Sequence, residues 1–473
     1  MKRIKKDYLF DDHPKEECGV FGVINVDNAS EVMYYGLHAL QHRGQEGAGI
    51  ISVDSNQFYR VKGQGLVTEV FNEQNMQSLK GSAAIGHVRY STSGGSLLEN
   101  VQPFLFRHST GDFALCHNGN LVNSHHLRIS LEREGSIFQT TSDSEIFAHL
   151  IKKDHQKNRL EAIKEALNKI EGAFAFLALT KDKLYIMRDK NSLRPLSLGK
   201  LNGGYVVSSE TCALDIVGAT FIRDIKPGEI LIIDKNNDMV QDFYAEKTYH
   251  NLCAMEYIYF SRPDSVIEGI NVHASRKEAG KILAKEAPVE ADIVVGVPDS
   301  SISAATGYSE AMNIPYEMGL IKNKYVGRTF IQPSQSMREK GVKMKLSPLK
   351  SIVDGKRVVL IDDSIVRGTT SKKIIKMLRE AGATEIHMRV ASPPITHPCF
   401  YGVDTSTYEE LIAAKRSIDE LKEYIDADSL AFLSIEGLYQ ATQKKKLCTS
   451  CFTGKYPTYL YKDLKDANKD DKF

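Results

Sequence analysis

In the first half of the chain, apolar residues come in short runs bounded by Gly, Asn and Asp: Cys18 to Val26, Ala84 to Tyr90, Ala173 to Thr180 and Glu229 to Ile233. Runs of this length and composition predict strands of stacked sheets. Two windows with helical spacing interrupt them, Val32 to His42 and Asp143 to Asn158, the second opening at a Ser142 or Asp143 N-cap. From about Glu278 the rhythm changes. A helix to Lys285, a strand at Ile293 to Val297, a helix from Ser301, a strand at Val358 to Ile361 and a helix at Thr370 to Ala381 follow one another. Such alternation predicts βαβ units on a parallel sheet. The polar passage Asp238 to Asn251 has no clear period and marks the boundary, giving domains at about 18–240 and 250–461. There is no repeat at solenoid periods, and the Lys-rich run in residues 462–473 reads as a solvated tail.

Composition narrows the function classes. With 473 residues the chain has room for two cores. Lys plus Arg (61) balance Asp plus Glu (60), so no global field favours nucleic acid or an acidic membrane surface, and small-molecule substrates are the simpler expectation. Apolar residues (42%) are dispersed, and none of the runs approaches the roughly 18 residues of a membrane span. The start, basic and then acidic, lacks the apolar stretch of a secretory signal, which predicts a cytoplasmic protein. Seven cysteines in that setting are read one by one as nucleophiles, metal ligands or buried thiols, not as a disulfide framework.

Cys18 opens the strand-like run CGVFGVINV and taken alone reads as a buried strand thiol. Its company is unusual: QHRGQEGAG (41–49), GHVRYST (86–92), HNGN (117–120) and TSDSE (141–145) each set Gly beside polar groups, as a site does where backbone approaches a ligand. Alone, Arg89 fits an ion pair, Asp143 a helix cap, and Asn118 with Gly119 a hairpin turn. In VVLIDDSIVRGTT (358–370) an apolar strand ends in two carboxylates, and a Gly-Thr-Thr loop opens a helix. Amides and hydroxyls at a helix N-terminus attract phosphate and the carboxylates suit ribose hydroxyls, although paired Asp residues can also merely cap a helix. VVGVPDSSIS (294–303) is a second strand-to-loop junction, and residues 321–346 read as a basic, exposed loop. Cys448 and Cys451 form a CxxC that leaves zinc, iron–sulfur and redox roles open; Cys253 and Cys399 supply two more thiols, while Cys116 and Cys212 read as buried.

Taken in order, these segments resemble the N-terminal-nucleophile glutaminase domain of class II glutamine amidotransferases, and the carboxyl half narrows the resemblance to the amidophosphoribosyltransferase family, from Cys18 to about Tyr461. The resemblance implies a four-layer αββα glutaminase domain followed by a type I phosphoribosyltransferase domain with a doubly wound parallel sheet. It implies that glutamine is hydrolysed at Cys18 and its ammonia added to C1 of phosphoribosyl pyrophosphate (PRPP), giving 5-phosphoribosylamine, glutamate and pyrophosphate at the entry to purine synthesis. Residues 1–17 then correspond to a propeptide whose removal frees the α-amino group of Cys18, a base near neutral pH. Asn118 and Gly119 would form the oxyanion hole, Arg89 would bind the glutamine carboxylate, and Asp143 would bind its ammonium. PRPP falls to Asp299, Ser300, Asp362, Asp363, Arg367, Gly368, Thr369 and Thr370, the loop departing from the Thr-Gly-Gly-Thr of many relatives. Ser300, Asp362 and Asp363 would bind Mg²⁺. Lys322, Tyr325 and Arg328 would belong to a loop that closes over PRPP. The propeptide-bearing branch implies a [4Fe–4S] cluster on Cys253, Cys399, Cys448 and Cys451. Purine nucleotide inhibition and a homo-oligomer, dimer or tetramer, complete the expectation. Competing readings are a class II amidotransferase with another acceptor, a PRPP-binding regulator and an iron–sulfur electron carrier; the segment 358–370, the Cys18 constellation and the single proposed cluster, respectively, argue against them.

Overall fold

The computed structural model describes residues 18–90, 97–109, 111–152, 158–323, 346–403, 405 and 407–458. Residues 1–17, the charged tail, Tyr325 and Arg328 lie outside these residues. Strands β1 (Gly19–Ile24), β2 (Gly47–Asp54), β3 (Gln57–Gln64), β4 (Ala83–Arg89), β9 (Ser197–Leu201), β10 (Gly204–Ser208) and β11 (Thr220–Asp224) form one sheet in the order β11-β9-β10-β1-β4-β2-β3. A second sheet runs β13-β12-β8-β7-β6-β5, from β5 (Phe104–Phe106), β6 (Phe113–Leu121), β7 (Gly172–Leu179), β8 (Lys183–Arg188), β12 (Glu229–Asp234) and β13 (Met239–Phe243).

Alternation along the strands explains the layering, because successive side chains face opposite sides of a sheet. Val20, Ile24 and Ile85 of the first sheet meet Ala114, Cys116, Ala175 and Leu177 of the second in one buried layer. The outer face of the first sheet is covered by the helix Ala29–Ala39, and that of the second by the helices Ser144–Lys152 and Arg159–Lys169. The four layers are those expected. Three local readings are corrected. Helix Ala29–Ala39 begins and ends three residues earlier than its apolar spacing suggests, since Asn28 adopts a left-handed conformation and Gln41–Arg43 forms a separate 3₁₀ turn. Asn158 does not close the helix that starts at Ser144. It caps the next one, its side chain accepting from Glu161 N at 3.0 Å. The amino-terminal sheet also reaches Phe243, past residue 240, because the polar strand β13 pairs with β12 at an exposed edge.

Besides two short antiparallel pairs, β14 (Val266–Ile267) with β15 (Ile270–Asn271) and β17 (Leu320–Lys322) with β18 (Leu346–Pro348), the carboxyl half is built on β16 (Ile293–Gly296), β19 (Arg357–Asp362), β20 (Glu385–Val390) and β21 (Ser429–Phe432), all parallel in that order. Val294, Val359 and Ile361 pack toward the helices Val272–Glu286 and Ile302–Met312, while Val295, Val358 and Leu360 pack toward Thr369–Glu380 and Ile418–Ile425. The sheet is doubly wound.

Candidate active site

Strand parity assembles the first site. Cys18 precedes β1 in the parity of Val20 and Ile24, Arg89 ends β4 in the parity of Ile85, and Asn118 lies on β6 in the parity of Ala114 and Cys116, residues that face the space between the sheets. All three therefore open at one end of the sandwich. Cys18 Sγ lies 3.3 Å from Tyr90 O and 3.5 Å from Tyr90 N. Burial is the main influence on the thiol and pushes it up to about 11; Arg89 opposes this, and Asp143 and Glu46 add to it. Arg89, Asp143 and Glu46 thus lie near enough to Cys18 for their charges to act on the thiol. Asn118 is fully buried, its Nδ2 donating to Ser209 Oγ at 3.4 Å, and Ser209 Oγ also accepts from Val20 N at 3.0 Å.

Asn118 and Gly119 are not a hairpin turn. They sit within β6, opposite Ala175 and Phe174 of β7. Gly119 has φ 140°, and a Cβ there would lie 2.0 Å from Ala173 O, so an alanine would have to displace backbone. For Gly119→Ala we expect glutamine-dependent turnover to fall on the order of 10²-fold or more, the scale of losing one oxyanion donor, with ammonia-dependent turnover retained. Paired steady-state assays with the two nitrogen sources check this.

Asp143 precedes its helix, and the cap is Ser142, whose Oγ accepts from Ser144 N at 3.3 Å. The Asp143 carboxylate instead accepts from Leu121 N at 2.8 Å and lies 3.6 Å from His117 Nδ1. Burial opposes its ionisation, but His117 and these donors hold it below its ordinary value. Anionic Asp143 beside cationic Arg89 suits the two charged ends of an amino acid.

In the carboxyl half, Ser300 follows β16, and Asp362 and Asp363 stand at the end of the adjacent strand β19. Ser300, Ser301, Asp363 and Arg276 line one cavity. Asp362 Oδ1 accepts from Ser301 Oγ at 3.2 Å and from Asp363 N at 3.0 Å. Both carboxylates are almost fully buried, and of the two Asp363 lines the cavity. Gly368 has a left-handed φ of 72° and turns the chain into Thr369–Glu380, putting Thr369 and Thr370 in the first turn. Arg367 pairs with Glu410 at 3.0 Å, and Lys322 with Asp299 at 3.0 Å on the surface.

Cys253, Cys399, Cys448 and Cys451 line one cavity with Arg194, Met255, Ile395 and Tyr401, and Cys253 and Cys448 form an isolated parallel bridge. Among the described residues no group of three or more His, Cys, Asp or Glu is assembled to grip a metal ion. The four thiols thus share the lining of one cavity without converging on a single point. Cys116 and Cys212 are buried, as expected.

A glutamine amidotransferase domain model matches residues 87–215, and a phosphoribosyl transferase domain model matches residues 271–393. Amidophosphoribosyltransferase of Bacillus subtilis (strain 168) is 57% identical over 455 residues, 95% of each chain. The chain belongs to the amidophosphoribosyltransferases. Its Staphylococcus aureus (strain Mu50) relative is 52% identical over 94% of this chain and 92% of that one. The B. subtilis glutamine PRPP amidotransferase solved in complex with ADP and GMP superimposes with a TM-score of 0.90, covering 94% of this chain and 98% of that one. A second structure, described as the allosteric regulatory enzyme of purine biosynthesis, gives 0.91 at 57% identity. An amidophosphoribosyltransferase takes nitrogen from glutamine and places it on PRPP, and the two halves supply the two domains this requires. Among the described residues no helix is long and apolar enough to cross a membrane.

Several residues of the amidophosphoribosyltransferase site were not singled out from sequence: Glu46, His117, Ser209 and Arg43. The Arg43 side chain donates to Cys18 O at 3.2 Å and bridges Glu210 at 2.7 Å and Glu256 at 2.8 Å, tying the Cys18 backbone to Glu256 of the carboxyl half. Arg43 and His117 stand inside the Gly-rich motifs, and that was the available signal.

Proposed function

We propose that Cys18, once residues 1–17 are removed, attacks the side-chain amide of glutamine with its own α-amino group as base. The convergence of Cys18, Arg89, Asn118 and Asp143 at one end of the sandwich supports this most strongly. The thiol gives its proton to the amine, sulfur bonds to the amide carbon, and the nitrogen leaves as ammonia carrying that proton. Water then breaks the thioester to release glutamate. Asn118 Nδ2 and the Gly119 N–H stabilise the oxyanion, while Arg89 and Asp143 hold the carboxylate and ammonium. Ammonia then attacks C1 of PRPP, whose phosphates lie on Arg367, Gly368, Thr369, Thr370, Asp299 and Ser300. Lys322, Tyr325 and Arg328 close over it. Ser300, Asp362 and Asp363 offer the hard oxygens that suit Mg²⁺, whose charge offsets that of the departing pyrophosphate.

The four thiols around one cavity suit a [4Fe–4S] cluster, which is wider than one ion, and no step above uses an electron. Purine nucleotides act as inhibitors in this reading, supported by the ADP and GMP of the B. subtilis complex. The enzyme is a cytoplasmic homo-oligomer, dimer or tetramer, at the first committed step of purine synthesis.

Intact mass combined with a PRPP-dependent glutaminase assay tests the nucleophile. We expect active protein to begin at Cys18; active chains still carrying residues 1–17 would overturn the reading. Iron and sulfide analysis of anaerobically purified protein is expected to return four of each per chain, and colourless protein with stoichiometric zinc would end the cluster assignment.

A further inference from the structure

Glutamine is addressed from two separate sheets, since Arg89 ends β4 of the first and Asn118 lies on β6 of the second. Hydrogen bonds within each sheet cannot fix the distance between them. Apolar side chains fill most of the intervening layer, and such contacts are non-directional. Directed contacts across the layer are few: Asn118 Nδ2 reaches Ser209 Oγ, just after β10, at 3.4 Å, and His87, two residues before Arg89, supplies another. Its side chain is fully buried in that layer, and Nε2 lies 3.0 Å from His117 O, the carbonyl of the residue directly before Asn118. A carbonyl can only accept, so Nε2 carries the proton. One residue away on each strand, Cys116 Sγ lies 3.7 Å from Gly86 O, a second contact between the same strands. Residues 86–87 of β4 and 116–117 of β6 are thereby paired side chain to backbone in both directions.

We propose that His87 is a positioning residue that holds the oxyanion-forming strand at a fixed distance from the strand bearing Arg89. The proposal rests on the roles given above to Arg89 and Asn118. Burial pushes the imidazole down to about 3, so the ring is neutral throughout the working range and its single N–H serves this bond. Among the described residues, His87 Nδ1 has no hydrogen-bond partner although it is buried. Such an atom carries a desolvation cost, and the Nε2 bond across the sheets gives the ring its use. Losing the bond lets Asn118 and Gly119 shift relative to a glutamine anchored at its α-carbon by Arg89 and Asp143. Ground-state binding survives while oxyanion stabilisation weakens, so kcat should suffer more than KM.

The experiment compares His87→Phe, His87→Gln and His87→Asn in the processed full-length enzyme, with Asn118→Ala as reference. Gln sets its amide nitrogen near the place of Nε2, and Asn stops about one bond short. In H87F and H87N we expect kcat with glutamine to fall about 10²-fold, the scale of a 1 Å misplacement, with KM for glutamine little changed; H87Q should retain most of kcat. Far-UV circular dichroism and the melting temperature report folding of the amino-terminal half, and ammonia-dependent synthesis reports that of the carboxyl half. Should H87F fail to fold, H87Q against H87N carries the test alone, since both are polar and differ only in reach. Equal kcat in H87Q and H87N, or an H87F enzyme equal to wild type where N118A is crippled, would overturn the role of His87. Full activity in N118A would instead remove the oxyanion assignment on which the proposal stands.

Discussion

Cys18→Ser is expected to lower glutamine-dependent synthesis by roughly 10³-fold or more, the scale seen when a nucleophile that acts with its base is removed. Ammonia-dependent synthesis should stay near the wild-type rate. The argument starts from the thiol. Burial pushes the part-buried Cys18 thiol up to about 11, so at neutral pH very little of it is thiolate without help. A base within reach of the sulfur must therefore take the proton during attack. Neither carboxylate near Cys18 is suited to this: Asp143 is held below its ordinary value, and both Asp143 and Glu46 raise the thiol further. An unblocked α-amino group on Cys18 titrates near 7.7–8.0 and lies on the same residue. Glutamine turnover should accordingly rise with pH through that range and level off above it. Serine keeps the geometry, but its hydroxyl is a much poorer acid, so the same amine cannot activate it comparably. Steady-state rates with glutamine and with ammonium, on enzyme verified to begin at residue 18, check the prediction; undiminished glutamine turnover in C18S would defeat the nucleophile assignment.

The layers of the fold were legible because burial imposes periods on sequence. The runs of β1, β4, β7 and β12 are apolar, and the alternation of β16, β19 and their helices is regular. The polar strand β13 was not legible, since at a sheet edge the ladder to β12 supplies its hydrogen bonds whatever its side chains. Motifs marked Asn118, Asp143, Asp362 and Asp363, but not their states. Whether Asn118 and Gly119 turn a hairpin or lie inside β6 depends on β7, more than fifty residues away. The near-complete burial of Asp362 and Asp363 depends on how the loop after β16 folds over the end of β19. The four-cysteine cavity draws on Cys253, Cys399 and the CxxC, and no local spacing announces that meeting.

Arg43 shows what local reading cannot supply, and its removal should give the largest loss of stability. In sequence it is one cation in a glycine-rich turn. In the fold it is 1% exposed, and its partners stand 167 and 213 positions away: Glu210 at 2.7 Å and Glu256 at 2.8 Å, both fully buried in side chain. His42 contacts Glu210 as well, at 2.7 Å. Removing one partner of a buried ion pair costs about 3–5 kcal/mol, because the other charge remains in a poor solvent for it. Arg43→Met leaves Glu210 with His42 and Glu256 with a longer Arg194 pair at 3.8 Å, both in low dielectric, and we expect an apparent melting temperature lower by about 10 °C. Burial alone would raise the Glu210 carboxyl, but His42 and Arg43 override it and hold the group far below its ordinary value of 4.5. A carboxyl depressed in the folded state stabilises the protein fully above its unfolded value and progressively less as the pH falls toward its folded value. The wild-type advantage over R43M should therefore be complete at neutral pH and narrow below about 4.5. Glutaminase activity should fall too, because the side chain that fixes Cys18 O is gone. Arg43→Lys, which keeps the charge but not the fork, should recover part of the melting temperature and less of the turnover. Scanning calorimetry at neutral and mildly acidic pH, alongside glutaminase assays, tests the set, and an R43M enzyme melting with wild type at neutral pH would show that the two carboxylates are neutral or otherwise paired.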